Sequence, residues 1–223
     1  MATPTLIYFW TRGRAELIRL ILAEAGVDYV EHPVGKDLPP RDGIPSDFGE
    51  LKKSGLLAFE AVPVWIEPDG FRLAQSVAIA QYLARKHGLM GKNEREAALC
   101  EQALQSYEDA RADLRKLAQT PAGDARNAWR KELEEVHLPR WLRSFERMLR
   151  SNGEGKGFLV GDALSCADLA LWYLLEMLET NGLGQVAEKH PLLAAFAGRI
   201  ASRQKVTNYL QSPKRPPFLA LPK

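Results

Sequence analysis

The stretch Thr5-Leu-Ile-Tyr-Phe-Trp-Thr-Arg-Gly-Arg-Ala-Glu-Leu-Ile-Arg19 decides the fold. Residues 5–10 are β-branched and aromatic and suit a strand. Ile18, Ile21, Leu22 and Ala25 then mark one face of a helix that Gly26 ends. Residues 27–34 read as a second strand. The two strands are expected to be parallel, because a helix crosses between them. Working outward, residues 35–55 are rich in Pro, Gly and charge and form an irregular excursion with one short helix near 48–53. Val62-Pro-Val-Trp-Ile66 and Phe71-Arg-Leu73, joined by Glu-Pro-Asp-Gly70, read as a hairpin. Ser76 opens a helix carrying Ile79, Tyr82, Leu83 and Lys86, with Gly88 as its stop.

Beyond a connector at 89–93 the strand signals fade. Ala103, Tyr107, Ala110, Leu114 and Leu117 fall at helical spacing up to a break at Thr120-Pro-Ala-Gly123. Trp129, Leu133, Val136, Leu142, Phe145 and Leu149 mark a second long helix, expected to kink at Pro139. Ser165-Cys-Ala-Asp168 has the form of a capping box opening an apolar helix, the expected centre of this half. The tail from Pro213, with four prolines, cannot be a long helix and is either extended across other elements or mobile. The expected fold is therefore α/β plus all-α: a βαβ-ββα domain at 1–88, a linker at 89–93 and a helical bundle domain at 94–223.

The chain has 223 residues, 46% of them hydrophobic, enough for a sizeable core. Thirty basic and twenty-eight acidic residues leave a formal charge of +2, with no tail or block of one sign. Charge thus gives no reason to expect nucleic acid or a membrane surface as partner. The start, Met-Ala-Thr-Pro-Thr, lacks the features of a signal peptide, and the apolar run 164–178 contains Asp168 and Glu176 and is too short to span a bilayer. A cytoplasmic protein is the expectation. Cys100 and Cys166 form neither a CxxC pair nor a disulfide framework and read as buried helix residues. His32, His87, His137 and His190 lack metal-ligand spacing, so no metal is expected.

Four motifs, in this order, carry a resemblance: residues 8–19, Val62-Pro63, Gln75-Ser-Val-Ala-Ile-Ala-Gln-Tyr-Leu83 and Ser165-Cys-Ala-Asp168. Together they resemble the cytosolic glutathione transferases, most closely the tyrosine-using sigma and alpha classes, along essentially the whole chain. The resemblance implies that the first domain is thioredoxin-like and binds glutathione as cosubstrate, and that the helical domain contributes the site for a small hydrophobic electrophile. It also implies a homodimer.

A thiol such as that of glutathione has an unperturbed pKa of about 8.5, so at neutral pH only a few per cent is the nucleophilic thiolate. Lowering that pKa by about two units takes roughly 2.7 kcal/mol, within reach of one or two well-placed donors. Tyr8 ends the first strand, where open α/β units place their ligands, and its hydroxyl is a donor that stays neutral. Arg14, a few residues on, is placed to add positive field at the same sulfur or at the Tyr8 hydroxyl. Taken alone, these residues read first as a tyrosine capping a core and an arginine on a solvated face; the other motifs reverse that order.

By resemblance, Ala61, Val62 and Pro63 meet the cysteinyl part of glutathione, and a cis Pro63 would present the Val62 backbone to it. Gln75 and Ser76 fall at a helix N-terminus that favours the γ-glutamyl carboxylate, although Ser76 reads equally as a plain cap. Lys52 or its neighbour Lys53 is assigned to the glycine carboxylate. Asp113 resembles an acid that reaches across a dimer to the ligand's amino group. Trp10, Arg111, Leu114 and Phe218, with Leu219, are candidates for the electrophile site. Phe59 resembles an aromatic key inserted into a partner subunit, whereas Val77 stands where alpha relatives carry an interface arginine.

The expected activity is conjugation of glutathione to hydrophobic electrophiles, with no metal. Peroxide reduction or endoperoxide isomerisation in the same site is one alternative, and a non-catalytic relative that keeps the fold is another. A thioredoxin-type oxidoreductase fits less well, since no cysteine ends the first strand.

Overall fold

The computed structural model describes residues 3–218. The chain divides into two compact units. The first takes the residues up to His87 and returns for the segment from Asn208, and the second runs Gly88–Thr207.

In the first unit, β1 (Thr5–Phe9), α1 (Glu16–Ala25), β2 (Val30–Val34), α2 (Phe48–Lys53), β3 (Val64–Ile66), β4 (Arg72–Ala74) and α3 (Ser76–Lys86) follow in order. The sheet order is β2-β1-β3-β4, with β1 parallel to β2 and antiparallel to β3, and β3 antiparallel to β4. This is the expected βαβ-ββα arrangement, a thioredoxin-like sheet. Strand side chains alternate between faces. Ile7, Val34 and Val64 meet Leu51 of α2 and Leu57 in one buried cluster, and α1 packs against α3.

Two strands begin later than the sequence predicts. Gly26 adopts a left-handed φ of 72° as the cap of α1, and the Val27 N–H then bonds to the Leu22 carbonyl at 2.9 Å, so residue 27 closes the helix instead of opening β2. Pairing of β3 with β1 starts at Val64, immediately after Pro63, which has no N–H to give.

The second unit holds α4 (Glu94–Gln119), α5 (Asp124–Glu132), α6 (Leu138–Ser151), α7 (Cys166–Thr180), α8 (Gly184–Glu188) and α9 (Pro191–Ala201), while α10 (Gln204–Leu210) leads back to the first. All of α7 except Glu176, Glu179 and Thr180 is buried, and it packs against α4, α8 and α9. Its capping box is formed: the Asp168 carboxylate accepts from the Ser165 N–H and hydroxyl, both at 2.8 Å, and from the Leu159 N–H at 2.7 Å. Cys100 and Cys166 are both buried.

The irregularity expected at Pro139 lies earlier. A five-residue π turn, Leu133–His137, separates α5 from α6, which puts Pro139 in the first turn of α6. There its missing N–H falls directly after the π-type bond from the Leu138 N–H to the Leu133 carbonyl.

Candidate active site

β1 ends by aiming Tyr8. Ile7 joins the cluster on one face of the sheet, while Tyr8, only 7% exposed, points to the other, where the Arg19 guanidinium carbon lies 5.8 Å from its ring centroid. The chain then doubles back through a tight turn at Gly13–Ala15, and the Arg14 N–H donates to the Tyr8 hydroxyl at 2.9 Å. Because the phenolic oxygen accepts this bond, its own O–H is left to donate elsewhere. Glycine makes the approach possible: residue 13 has φ +43°, and a Cβ there would lie 2.6 Å from the Tyr8 hydroxyl oxygen. The sequence reading placed the Arg14 guanidinium at the sulfur or at the Tyr8 hydroxyl; the Arg14 main chain bonds to that hydroxyl as well.

Beside this turn is a hollow of about 340 Å³. Arg14 lines it together with Ala61, Val62, Pro63, Gln75 and Ser76, and Phe59 and Ala74 complete the wall. The residues expected to hold glutathione from two separate loops thus share one cavity with Arg14. The Val62–Pro63 bond is cis. Gln75, with φ 73°, turns the chain from β4 into α3, whose first residue, Ser76, is 6% exposed. Amides of the first helical turn have no intrahelical acceptor, and the helix dipole adds positive potential there, so this end of the hollow favours a carboxylate.

The remaining expected contacts fall outside that hollow. Lys52 reaches toward Glu60, 3.8 Å between charged atoms, and over the Phe48 ring at 4.9 Å. Lys53 is paired with Glu50 of its own helix at 2.9 Å, so of the two lysines Lys52 is the one turned toward the segment leading into the site. Trp10 is 45% exposed. The Phe218 ring lies 5.8 Å from the Arg12 guanidinium, and Leu219 is outside the described residues.

In the helical unit, Arg111 is bound to Glu108 at 2.6 Å and lies over the Tyr107 ring. Burial opposes its charge, but the neighbouring acidic groups hold its pKa above the ordinary value. Leu114 is 5% exposed and thus packed instead of presented to a ligand. The Asp113 carboxylate accepts from Trp141 Nε1 at 3.0 Å and lies 3.1 Å from His137 Nδ1, both at Oδ2.

Sequence reasoning missed the charged cluster under the Gly13–Ala15 turn. Arg19, 1% exposed, makes a two-pronged pair with Glu31 at 2.6 and 3.0 Å. It also donates to the carbonyls of Thr11 at 2.9 Å and Arg12 at 3.3 Å and lies 3.5 Å from the Glu16 carboxylate. Burial works against this guanidinium, yet the Glu31 carboxylate carries its pKa above the usual range. A signal was present: Glu16 and Arg19 stand three apart among Leu17, Ile18, Leu20 and Ile21, and a charged pair on a helix buried along that length must find partners.

The chain is similar to known proteins along most of its length. The family model described as Glutathione S-transferase, N-terminal domain, matches residues 4–85, and that described as Glutathione S-transferase, C-terminal domain, matches residues 108–213. Glutathione S-transferase A3 of Homo sapiens is 36% identical over 222 residues, covering 96% of this chain and 91% of that protein. Glutathione S-transferase alpha-2 of Rattus norvegicus is 36% identical over 208 residues, covering 93% and 88%. The solved Pi-class glutathione S-transferase of Onchocerca volvulus superposes with a TM-score of 0.81 at 28% identity, over 94% of this chain and 93% of that one.

Proposed function

The chain belongs to the glutathione S-transferase family and is a glutathione transferase, and on that premise we propose that Tyr8 activates the glutathione thiol. The observation that carries this reading is the 2.9 Å bond from the Arg14 N–H to the Tyr8 hydroxyl, beside the hollow that Arg14 lines. The tripeptide lies in that hollow, its cysteinyl backbone along Ala61, Val62 and Pro63 and its γ-glutamyl carboxylate at Gln75 and Ser76. Lys52 meets the glycine carboxylate.

The phenol oxygen accepts from the main chain, which makes its O–H a stronger donor to sulfur. Donation to the thiolate favours the anion over the thiol, and the proton leaves to solvent. The sulfur lone pair then forms a C–S bond to an electrophilic carbon. In a substitution the leaving group departs with the bonding pair; in an addition the pair moves onto the acceptor, which takes up a proton. The domain at 1–88 supplies glutathione binding and the thiol chemistry. Trp10 and Phe218 are assigned to the electrophile.

The protein works as a cytoplasmic homodimer, with Phe59, 65% exposed, as the residue a partner subunit covers. Among the described residues no helix is long and apolar enough to cross a membrane.

The test is Tyr8→Phe. Ultraviolet titration of enzyme-bound glutathione should give a thiol pKa higher by about one to two units, and kcat/KM toward an aryl halide should fall about 10- to 100-fold. A bound thiol that ionises in the variant as readily as in the parent refutes the role of Tyr8.

A further inference from the structure

The catalytic turn is held from two sides, and one of them is the far end of the chain. From within, Arg19 binds the carbonyls of Thr11 and Arg12. From without, the segment 209–217 closes over the same residues. The Arg12 N–H donates to the Pro217 carbonyl at 3.2 Å, Arg12 Nε to the Pro216 carbonyl at 3.2 Å and the Thr11 hydroxyl to Pro217 at 3.3 Å. The two sides meet at Glu16. Its side chain has no exposure, and it accepts from Arg215 Nε at 2.7 Å on one oxygen and from the Tyr209 hydroxyl at 3.0 Å on the other. Arg215 is 7% exposed.

Resting on Tyr8 as the thiol-activating group, we propose that the segment 209–217 is a positioning element for the reaction: through Glu16 and Arg19, and directly through Arg12, it fixes the turn that delivers the Arg14 N–H to Tyr8. The segment touches no reacting atom. Its effect runs through a short chain of contacts, from Arg215 to Glu16, Glu16 to Arg19, Arg19 to the carbonyls of residues 11 and 12, and from there through Gly13 to the Arg14 N–H. Each of the first three links is a hydrogen bond or an ion pair with at least one buried charge, where the alternative of solvation by water is absent, and the last is the main chain itself. Proline at 216 and 217 suits this use. A proline has a fixed φ and no N–H of its own, so both carbonyls are presented on a stiff stretch of chain to donors on residues 11 and 12.

A purely structural clamp would lower stability without changing how the bound thiol ionises, so the experiment reads both. Arg215→Ala, Arg215→Lys, Tyr209→Phe and Tyr8→Phe are compared with the parent by thermal unfolding, by ultraviolet titration of bound glutathione and by binding of S-methylglutathione, which has no thiol to ionise. Arg215→Ala is expected to raise the bound-thiol pKa by about one unit, with about tenfold less thiolate and a similar fall in kcat/KM at pH 6.5. S-methylglutathione binding should stay within about twofold, because the hollow itself is untouched. Arg215→Lys should recover part of the shift. Tyr209→Phe, which removes one hydroxyl from the same carboxylate and serves if Arg215→Ala does not fold, should move the pKa in the same direction by less. A lower melting temperature with an unchanged thiol pKa in Arg215→Ala or Tyr209→Phe overturns the proposal while leaving the role of Tyr8 intact. An unchanged thiol pKa in Tyr8→Phe removes the premise instead.

Discussion

Replacing Gly13 by alanine perturbs the active site by a single methyl group, and the structure says where that group goes. It would lie 2.6 Å from the Tyr8 hydroxyl oxygen, 3.1 Å from Cε1 and 3.3 Å from Cζ, against 3.4–4 Å for ordinary van der Waals contact. The obstacle is the tip of a rigid ring in a buried position, so the methyl is not accommodated by rotation of a flexible chain. Relief must come from tilting the phenol or shifting the turn by about 1 Å, and either motion opens the 2.9 Å bond from the Arg14 N–H. Alanine at φ +43° adds a backbone cost of about 1–2 kcal/mol, which appears as lost stability. Loss of alignment between the phenol and sulfur removes one hydrogen bond to a charged group, about 1.5–3 kcal/mol, or about 10- to 100-fold in kcat/KM.

Conjugation kinetics, thiol titration and thermal unfolding on Gly13→Ala separate the two effects, and a double-mutant cycle isolates the second. With Tyr8→Phe already in place the oxygen that the methyl strikes is gone, so Gly13→Ala should cost stability but almost no further activity. If Gly13→Ala lowers kcat/KM equally in both backgrounds, the argument from the Tyr8 hydroxyl is wrong.

Burial raises the Asp168 carboxyl to a pKa of about 6, against the lowering effect of its bonds from Leu159 and Ser165. With an unfolded value of about 3.9, the folded state holds this proton more tightly, so the group's contribution is fully present below about pH 4 and is lost as pH rises toward 6, on the order of 2–3 kcal/mol. The stability advantage of the parent over Asp168→Asn should therefore shrink between pH 4.5 and 7 in denaturant unfolding, and parallel pH profiles would contradict the assignment. For the proposed dimer, Phe59→Ala removes two symmetry-related keys worth about 2–3 kcal/mol each, raising the dissociation constant about a thousandfold or more; sedimentation that still finds a dimer at nanomolar protein would exclude Phe59 as the key.

The fold was legible where one local rule decided it. The apolar and aromatic run at 5–10, the turn at 67–70 and the capping box at 165–168 each settle a backbone conformation within a few residues, and all three appear in the structure. Boundaries were less legible where two rules compete for one residue. Val27 suits a strand by composition, but the cap at Gly26 claims its N–H for α1. Pro139 predicts an irregularity, yet a proline is accepted in a first helical turn, so the chain makes its π turn before it, at Leu133–His137.

The site divides along the same line. Tyr8, Pro63, Gln75 and Ser76 were readable as candidates because each stands at or near the end of an element, and the fold needs only to bring those ends together. Nothing local to Arg19 announces Glu31 or the carbonyls of residues 11 and 12, and nothing near Glu16 announces Tyr209 or Arg215, 193 and 199 residues away. What the sequence did contain was a constraint: a glutamate and an arginine three apart on a helix buried from Glu16 to Leu22. Removing one partner from such a cluster leaves an uncompensated buried charge, which is far more costly than losing a surface pair. The turn proposed to serve the thiol is therefore built on groups that cannot be changed singly, and it inherits their rigidity.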